Sequence, residues 1–204
     1  MSRRCVILSG GERHPLAGIR PGDFVVACDR GYAYAAAEGV RPDLVISDFD
    51  SYGGRVAEDV PVRRLPTEKD DTDTMAAVRF ACGEGFDEIV ILCALGGRLD
   101  HTLANLQALV YAVEHGASAA IESPDTRVSA LRDGTLRLPR RDGFSLSVFS
   151  AADESRVSIR GAKYELEEAV ITNAFPLGAS NEWRDGEAVI RCHSGVILVV
   201  ESRL

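Results

Sequence analysis

No stretch of this 204-residue chain is apolar for long enough to cross a bilayer, and Met1-Ser2-Arg3-Arg4 leads into only four apolar residues, Cys5 to Leu8. That run is too short for a signal peptide, so a cytoplasmic location is expected. Positive charge is scarce as well: 23 Lys and Arg against 31 Asp and Glu leave a net charge of −8. Such a balance argues against nonspecific binding to nucleic acid or to an anionic membrane. An acidic protein can still hold a nucleotide when metal ions bridge its carboxylates to the phosphates. No CxxC pair or metal-finger spacing connects the five cysteines (Cys5, Cys28, Cys82, Cys93 and Cys192), and four of them lie inside apolar runs. There a reduced cysteine behaves as a small hydrophobe, which suits a reducing cytosol better than a disulfide framework. Three catalytic signatures are missing too: the Gly-x-x-x-x-Gly-Lys-Ser/Thr loop, the Gly-x-Gly-x-x-Gly dinucleotide fingerprint and the Gly-x-Ser-x-Gly elbow. Their absence sets aside P-loop, dinucleotide-dependent and acyl-transfer chemistry of those types.

What remains is an ordinary globular composition, 46% hydrophobic and 26% charged, long enough for one large domain or two small ones. The first part alternates strand and helix signals. Cys5 to Leu8, Phe24 to Cys28, Leu44 to Ile46, Glu88 to Leu95 and Ala119 to Ile121 read as buried strands. Tyr32 to Glu38 reads as a helix, as does a segment starting near Met75 with a stripe of Met75, Val78 and Cys82. A further helix carries Leu103, Leu106, Val110 and Val113 as its buried stripe. This alternation predicts an α/β domain with a mostly parallel, Rossmann-like sheet over residues 1–124. From about Thr126 no useful helical stripe remains. Ser145 to Phe149, Ala188 to Cys192 and Val196 to Val200 read as strands, and Asp133-Gly134 and Asp185-Gly186 as hairpin turns. Residues 125–204 are therefore expected to form a small all-β sandwich or partial barrel. With no low-complexity linker between them, the two parts are expected to pack closely.

In parallel sheets ligands bind beyond the carboxyl ends of the strands. Asp29, Asp48, Asp50 and the loop Gly96 to Asp100 all follow strands, so they should converge on one rim. Asp48 and Asp50 lie two apart, and in extended backbone they would project to the same side. Two neighbouring carboxylates repel, and Mg²⁺ relieves that repulsion with oxygen ligands from one or two acids plus substrate phosphates. A solvated turn is the alternative for this pair. Lys69 to Thr74 crowds Asp70, Asp71, Thr72, Asp73 and Thr74 before a helix; capping accounts for Thr72 or Asp71 but leaves Asp73 over. In Gly96-Gly97-Arg98-Leu99-Asp100-His101 the glycines allow close backbone approach, and Arg98 can neutralise phosphate. Tyr164 and the single tryptophan, Trp183, could offer a flat surface to an aromatic or cationic ligand or belong to the core. Ser180-Asn181 could bind a ligand or close a turn. The acidic rim favours metal-assisted phosphoryl chemistry.

In sequence order, Asp29-Arg30-Gly31, Arg41-Pro42-Asp43 to Ser51, Glu68 to Asp73, Gly96 to Asn105, Gly161-Ala162-Lys163-Tyr164 and Ser180-Asn181-Glu182 form a series. With that series the chain resembles the thiamine pyrophosphokinase (thiamine diphosphokinase) family of the bacterial type over nearly its whole length. The resemblance implies transfer of pyrophosphate from ATP to the hydroxyethyl oxygen of thiamine, giving thiamine diphosphate and AMP. It also implies a homodimer with active sites between subunits. Asp48, Asp50 and Asp73 would hold Mg²⁺ and the ATP phosphates. Asp29, Lys69, Asp70 and Thr72 would line the same site, and Arg98 and Asp100 would contact the nucleotide or the reacting group. Tyr164, Ser180 and Asn181 would form the thiamine pocket. Three departures stand out: Arg30 replaces a family glycine, Ser47 replaces the glycine before Asp48, and Trp183 replaces a different aromatic. A metal-dependent nucleotide phosphohydrolase and a non-catalytic nucleotide sensor are the competing expectations.

Overall fold

The computed structural model describes residues 3–48, 55–66 and 70–204. They divide into two compact units, Met1–Pro124 and Asp125–Leu204. In the first unit the strands are β1 (Arg4–Leu8), β2 (Phe24–Cys28), β3 (Leu44–Ser47), β4 (Val62–Arg64), β5 (Glu88–Leu92) and β6 (Ser118–Glu122). They lie in the order β6-β5-β1-β2-β3-β4, and the pairings are parallel. Strands buried on both faces need no alternation, which is why β1 and β5 read as unbroken apolar runs. From β1 the chain builds outward through β2 and β3 to β4, then returns to lay β5 on the other side of β1. The order therefore reverses between β1 and β5, the position at which open α/β sheets leave a crevice for ligands.

Among the described residues, three helices cover this sheet: α1 (Gly31–Ala37), α2 (Asp73–Gly83) and α3 (Leu99–Glu114). Their buried faces differ from the stripes expected above. In α2 the buried residues are Thr74, Ala77, Val78 and Ala81, while Met75 and Cys82 are half-buried. In α3 they are Asn105, Ala108, Leu109 and Ala112, while Leu99 is 72% and Leu103 54% exposed. Alanines at the contact let both helices lie close to their neighbours, and a pattern weighted by side-chain size misses that face. The structure ends β3 at Ser47. Asp48 stands just beyond it, and Asp50 lies outside the described residues.

In the second unit the strands are β7 (Thr126–Pro139), β8 (Phe144–Ser150), β9 (Glu154–Arg160), β10 (Leu166–Thr172), β11 (Gly178–Asn181) and β12 (Glu187–Arg203). β12 pairs with β7 along its length, with β9 through its first half and with β8 through its second half. β10 adds to β9, and β11 to β8. Two of the expected turns and one strand break are corrected here. Asp133-Gly134 is not a hairpin but a point inside β7, with Asp133 at φ 45°, and the two strands expected at 188–200 are one. Opposite Gly134 and Arg132 the pairing slips between Cys192 and Val196, so both long strands are disturbed at the same level. The extra residues shift side-chain parity. Ala188, Ile190 and Cys192 face the core before the irregularity, and Ile197 and Val199 after it. A strand can thus bend without turning its apolar face outward. Asp185-Gly186 belongs to a longer connection, in which the N–H groups of Arg184 and Asp185 both donate to the Gly161 carbonyl.

All five cysteines are free thiols. Burial, with help from Asp23, Asp43 and Cys82, pushes the Cys5 thiol up to about 12, so it stays protonated and unreactive.

Candidate active site

A cavity of about 740 Å³ opens at the carboxyl ends of β1, β2, β3 and β5, within the size range of small-molecule sites. Its walls come from four loops, each entered directly from a buried strand. Ser9 to Arg13 follow β1, Asp29 and Arg30 follow β2, Asp48 follows β3, and Ala94 to Arg98 follow β5. The N-terminal turn of α2 adds Thr72, Asp73 and Thr74.

Hydrogen bonds fix these loops before any ligand arrives. After β1, the N–H groups of Ser9, Gly11 and Glu12 donate to the carbonyls of Leu92, Cys93 and Leu95. In return the Cys93 N–H donates to His14 Nε2 at 3.0 Å, and the Tyr34 hydroxyl donates to the Gly11 carbonyl at 2.9 Å. Ser9 Oγ and Thr74 Oγ1, both buried, meet at 2.8 Å and tie the β1 loop to α2. At the end of β5, the buried Asn105 donates from Nδ2 to the Ala94 carbonyl at 2.7 Å. Gly96 and Gly97 both adopt positive φ, and a Cβ on Gly96 would fall 2.5 Å from Glu12 Oε2. Here glycine is required both by backbone conformation and by space.

Of the residues singled out from sequence, Asp29, Asp48, Thr72, Asp73 and Arg98 line this one cavity. Thr72 also caps α2, its Oγ1 accepting from the Met75 N–H at 3.1 Å. Asp73 follows as the first residue of the helix, where its charge suits the N-terminus. Asp71 does not reach the cavity; it pairs with Arg79 at 2.5 Å. Asp70 is exposed and does not line the cavity. Asp100 also lies outside the lining. It forks with Arg98, Nε to Oδ1 at 3.1 Å and Nη2 to Oδ2 at 2.5 Å, and it accepts from the His101 N–H. The Arg98 hydrogen bond holds the Asp100 carboxyl below the usual carboxylate range. Asp50 and Lys69 lie outside the described residues. Sequence reasoning passed over Glu12, Arg13, Tyr34 and Asn105; Ser9-Gly10-Gly11 immediately after a buried strand was the signal that could have found the first two.

The lining suits a hard cation by its chemistry. The carboxylates of Asp29, Asp48 and Asp73 and the hydroxyls of Ser9, Thr72 and Thr74 are all oxygen donors. Among the described residues, no three His, Cys, Asp or Glu side chains form a ready-made metal cage.

In the second unit, Tyr164 is 63% exposed and rests on a rigid support. Asn181, itself buried, accepts from the Tyr164 N–H at 3.0 Å and donates to the Tyr164 carbonyl at 2.7 Å. Its Oδ1 also accepts from the Glu182 N–H. The Asn181 amide is thus committed to the chain that carries Tyr164. Lys163 places its ammonium 5.7 Å from the Tyr164 ring centre. Ser180 is exposed at φ 57°, and its N–H donates to Ser147 Oγ. Trp183 is buried, its Nε1 donating to the Leu138 carbonyl at 3.0 Å, and it belongs to the core.

Two families of known proteins match these two units. Residues 19–121 match the family described as "Thiamin pyrophosphokinase, catalytic domain" and residues 135–197 that described as "Thiamin pyrophosphokinase, vitamin B1 binding domain". The chain is 25% identical over 185 residues to the thiamine pyrophosphokinase of Bacillus subtilis (strain 168), covering 87% of this chain and 86% of that protein. It is 25% identical over 171 residues to thiamin pyrophosphokinase 1 of Caenorhabditis elegans, covering 78% of this chain and 70% of that protein. A crystal structure of the Bacillus subtilis enzyme superposes with a TM-score of 0.89 at 23% identity, over 98% of this chain and 99% of that one. A thiamin pyrophosphokinase from Geobacillus thermodenitrificans gives 0.83 at 24% identity, over 100% and 98%. At these identities the superpositions speak to the fold, an α/β unit followed by a β-rich one.

Proposed function

The chain belongs to the thiamin pyrophosphokinase family, and from that premise we propose that it is a Mg²⁺-dependent enzyme transferring pyrophosphate from ATP to thiamine. The observation that carries this reading is the single cavity at the sheet's reversal point, where Asp29, Asp48 and Asp73 gather with Arg98. Residues 1–124 take the catalytic, ATP-binding role and residues 125–204 the thiamine-binding role.

The hydroxyethyl oxygen of thiamine attacks the β-phosphorus of ATP. The bond from that phosphorus to the oxygen bridging it to the α-phosphate breaks, AMP leaves, and the hydroxyl proton is released. Phosphoryl chemistry of this kind asks the protein mainly for positioning and charge compensation. Mg²⁺, when bound, supplies charge neutralisation along the phosphates. Asp48, Asp50 and Asp73 are assigned to hold it. The Thr72 hydroxyl, which accepts from its own helix, can turn its proton towards a phosphate oxygen. Arg98 lines the cavity and is held by Asp100, so Asp100 positions Arg98. Asp29 completes the nucleotide site in this reading, and the resemblance adds Lys69 to it.

Tyr164 is assigned to stack on the cationic heterocycle of thiamine, with Ser180 beside it and Asn181 fixing the main chain beneath the ring. Tyr164→Ala is expected to raise the KM for thiamine about tenfold while leaving the KM for ATP within twofold, the size of an aromatic–cation contact with its packing. An unchanged thiamine KM would reassign Tyr164 to surface packing. The assembly is proposed as a homodimer with active sites between subunits, in the cytoplasm. Exposed Leu99, Leu103, Phe175 and Leu177 are apolar surface such an interface would cover, and sedimentation velocity reads the mass directly. The deciding assay incubates the protein with Mg·ATP, with and without thiamine. Thiamine-dependent AMP and thiamine diphosphate support the reading. Thiamine-independent phosphate release would indicate a phosphohydrolase, and saturable ATP binding without AMP a sensor.

A further inference from the structure

Three arginines line the cavity, and two of them already face acids. Arg13 lies 3.9 Å from Glu38, and Arg98 forks with Asp100. Arg30 is the third. It is exposed at the cavity wall, immediately after Asp29, and among the described residues it forms no ion pair. Its backbone is anchored: φ −62° and ψ −20° lead into α1, and the Arg30 carbonyl accepts from the Tyr34 N–H at 3.1 Å. Gly10 lies across from it, where an added Cβ would stand 3.7 Å from the Arg30 Cβ, an ordinary contact distance. An anchored backbone, a guanidinium with no ion pair among the described residues, and a cavity read above as the nucleotide site make one combination.

We propose that Arg30 binds the phosphate chain of the nucleotide and makes the site select by phosphate number, triphosphate over monophosphate. This rests on the nucleotide part of the reading above and deepens it. A guanidinium presents paired N–H donors to phosphate oxygens, and such charge-assisted bonds are about twice as strong as neutral ones. At a position where the resemblance expects glycine, this chain therefore adds a charged contact. In this reading Arg30 is a specificity determinant at the cavity wall.

The test is calorimetric binding of Mg·ATP, Mg·ADP and AMP, without thiamine, to the full chain and to Arg30→Gln and Arg30→Lys. Glutamine keeps the stem and removes the charge; lysine keeps the charge and removes the fork. Arg30→Gln is expected to weaken ATP binding tenfold to a hundredfold, the usual range for losing one charge-assisted contact, and AMP binding by less than threefold. Arg30→Lys should recover most of the ATP loss, and unchanged melting temperatures of the free variants confirm that α1 is intact. Equal losses for ATP and AMP, or no loss for ATP, overturn the proposal. If the protein makes no thiamine diphosphate yet shows this graded loss, the Arg30 assignment stands and the thiamine reading falls. If the wild-type chain binds no ATP, both fall.

Discussion

Asp73→Asn is expected to lower kcat by about a thousandfold, equivalent to ~4 kcal/mol of transition-state stabilisation. The reasoning compares two duties of one side chain. As the first residue of α2, Asp73 gains from the helix N-terminus, and losing that interaction costs about 0.3–1 kcal/mol of stability. The cap itself is made by Thr72, so the helix start survives. As a carboxylate in the cavity beside Asp48 and Thr72, Asp73 would instead govern the cation and phosphates, where one charge is worth several kcal/mol. The two duties therefore separate by magnitude. Single-turnover AMP formation should collapse while the melting temperature moves by only a few degrees. A kcat within tenfold of the wild-type value would take Asp73 away from the reacting phosphates.

Gly31→Ala should be the most damaging single methyl in the α/β unit. A Cβ at Gly31 would lie 2.0 Å from the Leu8 carbonyl oxygen and 2.6 Å from the Leu8 carbonyl carbon. Leu8 ends β1, the buried strand on which the sheet reverses, and neither backbone can yield without disturbing both neighbours of β1. Overpacking usually costs about 1–3 kcal/mol, but a clash of backbone with Cβ belongs to the tail above ~4 kcal/mol. Against a total stability of about 5–15 kcal/mol, such a loss removes from a quarter to most of it. Gly83→Ala is the matching control: nothing lies within 4 Å of its added Cβ, and its φ is not positive. Urea unfolding should show Gly83→Ala at or above the wild-type midpoint and Gly31→Ala far below it. Comparable midpoints would mean that α1 does not seat against Leu8 as described.

The parallel unit was largely legible in the sequence because its strands are buried on both faces. Phe24 to Cys28 could be read to the residue, since so short an apolar run between two acids fits little except a buried strand. The helix faces were less legible. Ala77, Ala81, Ala108 and Ala112 carry the contacts, and a reading weighted towards large aliphatic residues selected their neighbours instead. Asp133-Gly134 misled for a different reason. The dipeptide suits a tight turn, yet here the same left-handed preference serves an irregularity within a strand, a choice made by β12 from more than fifty residues away. For the cavity, the rule that residues just past parallel strands share a rim placed Asp29, Asp48 and Arg98 together. What no local rule gives is which polar atoms remain available. Asn181 and Asp100 are two such cases, and only the fold shows their bonds to Tyr164 and Arg98.

The seventeen residues of β12 have a consequence for how the second unit comes apart. β7, β8 and β9 each hydrogen-bond to it, and β10 and β11 join the sheet only through β9 and β8. Detaching β12 would uncover the edges of three strands at once, and bare edges invite pairing between molecules. No strand pair can therefore peel away while β12 stays in place without leaving it half-paired, and partial opening is penalised relative to complete opening. Amide exchange along the middle of β12 should then proceed only by global unfolding of this unit, a built-in guard against sticky intermediates.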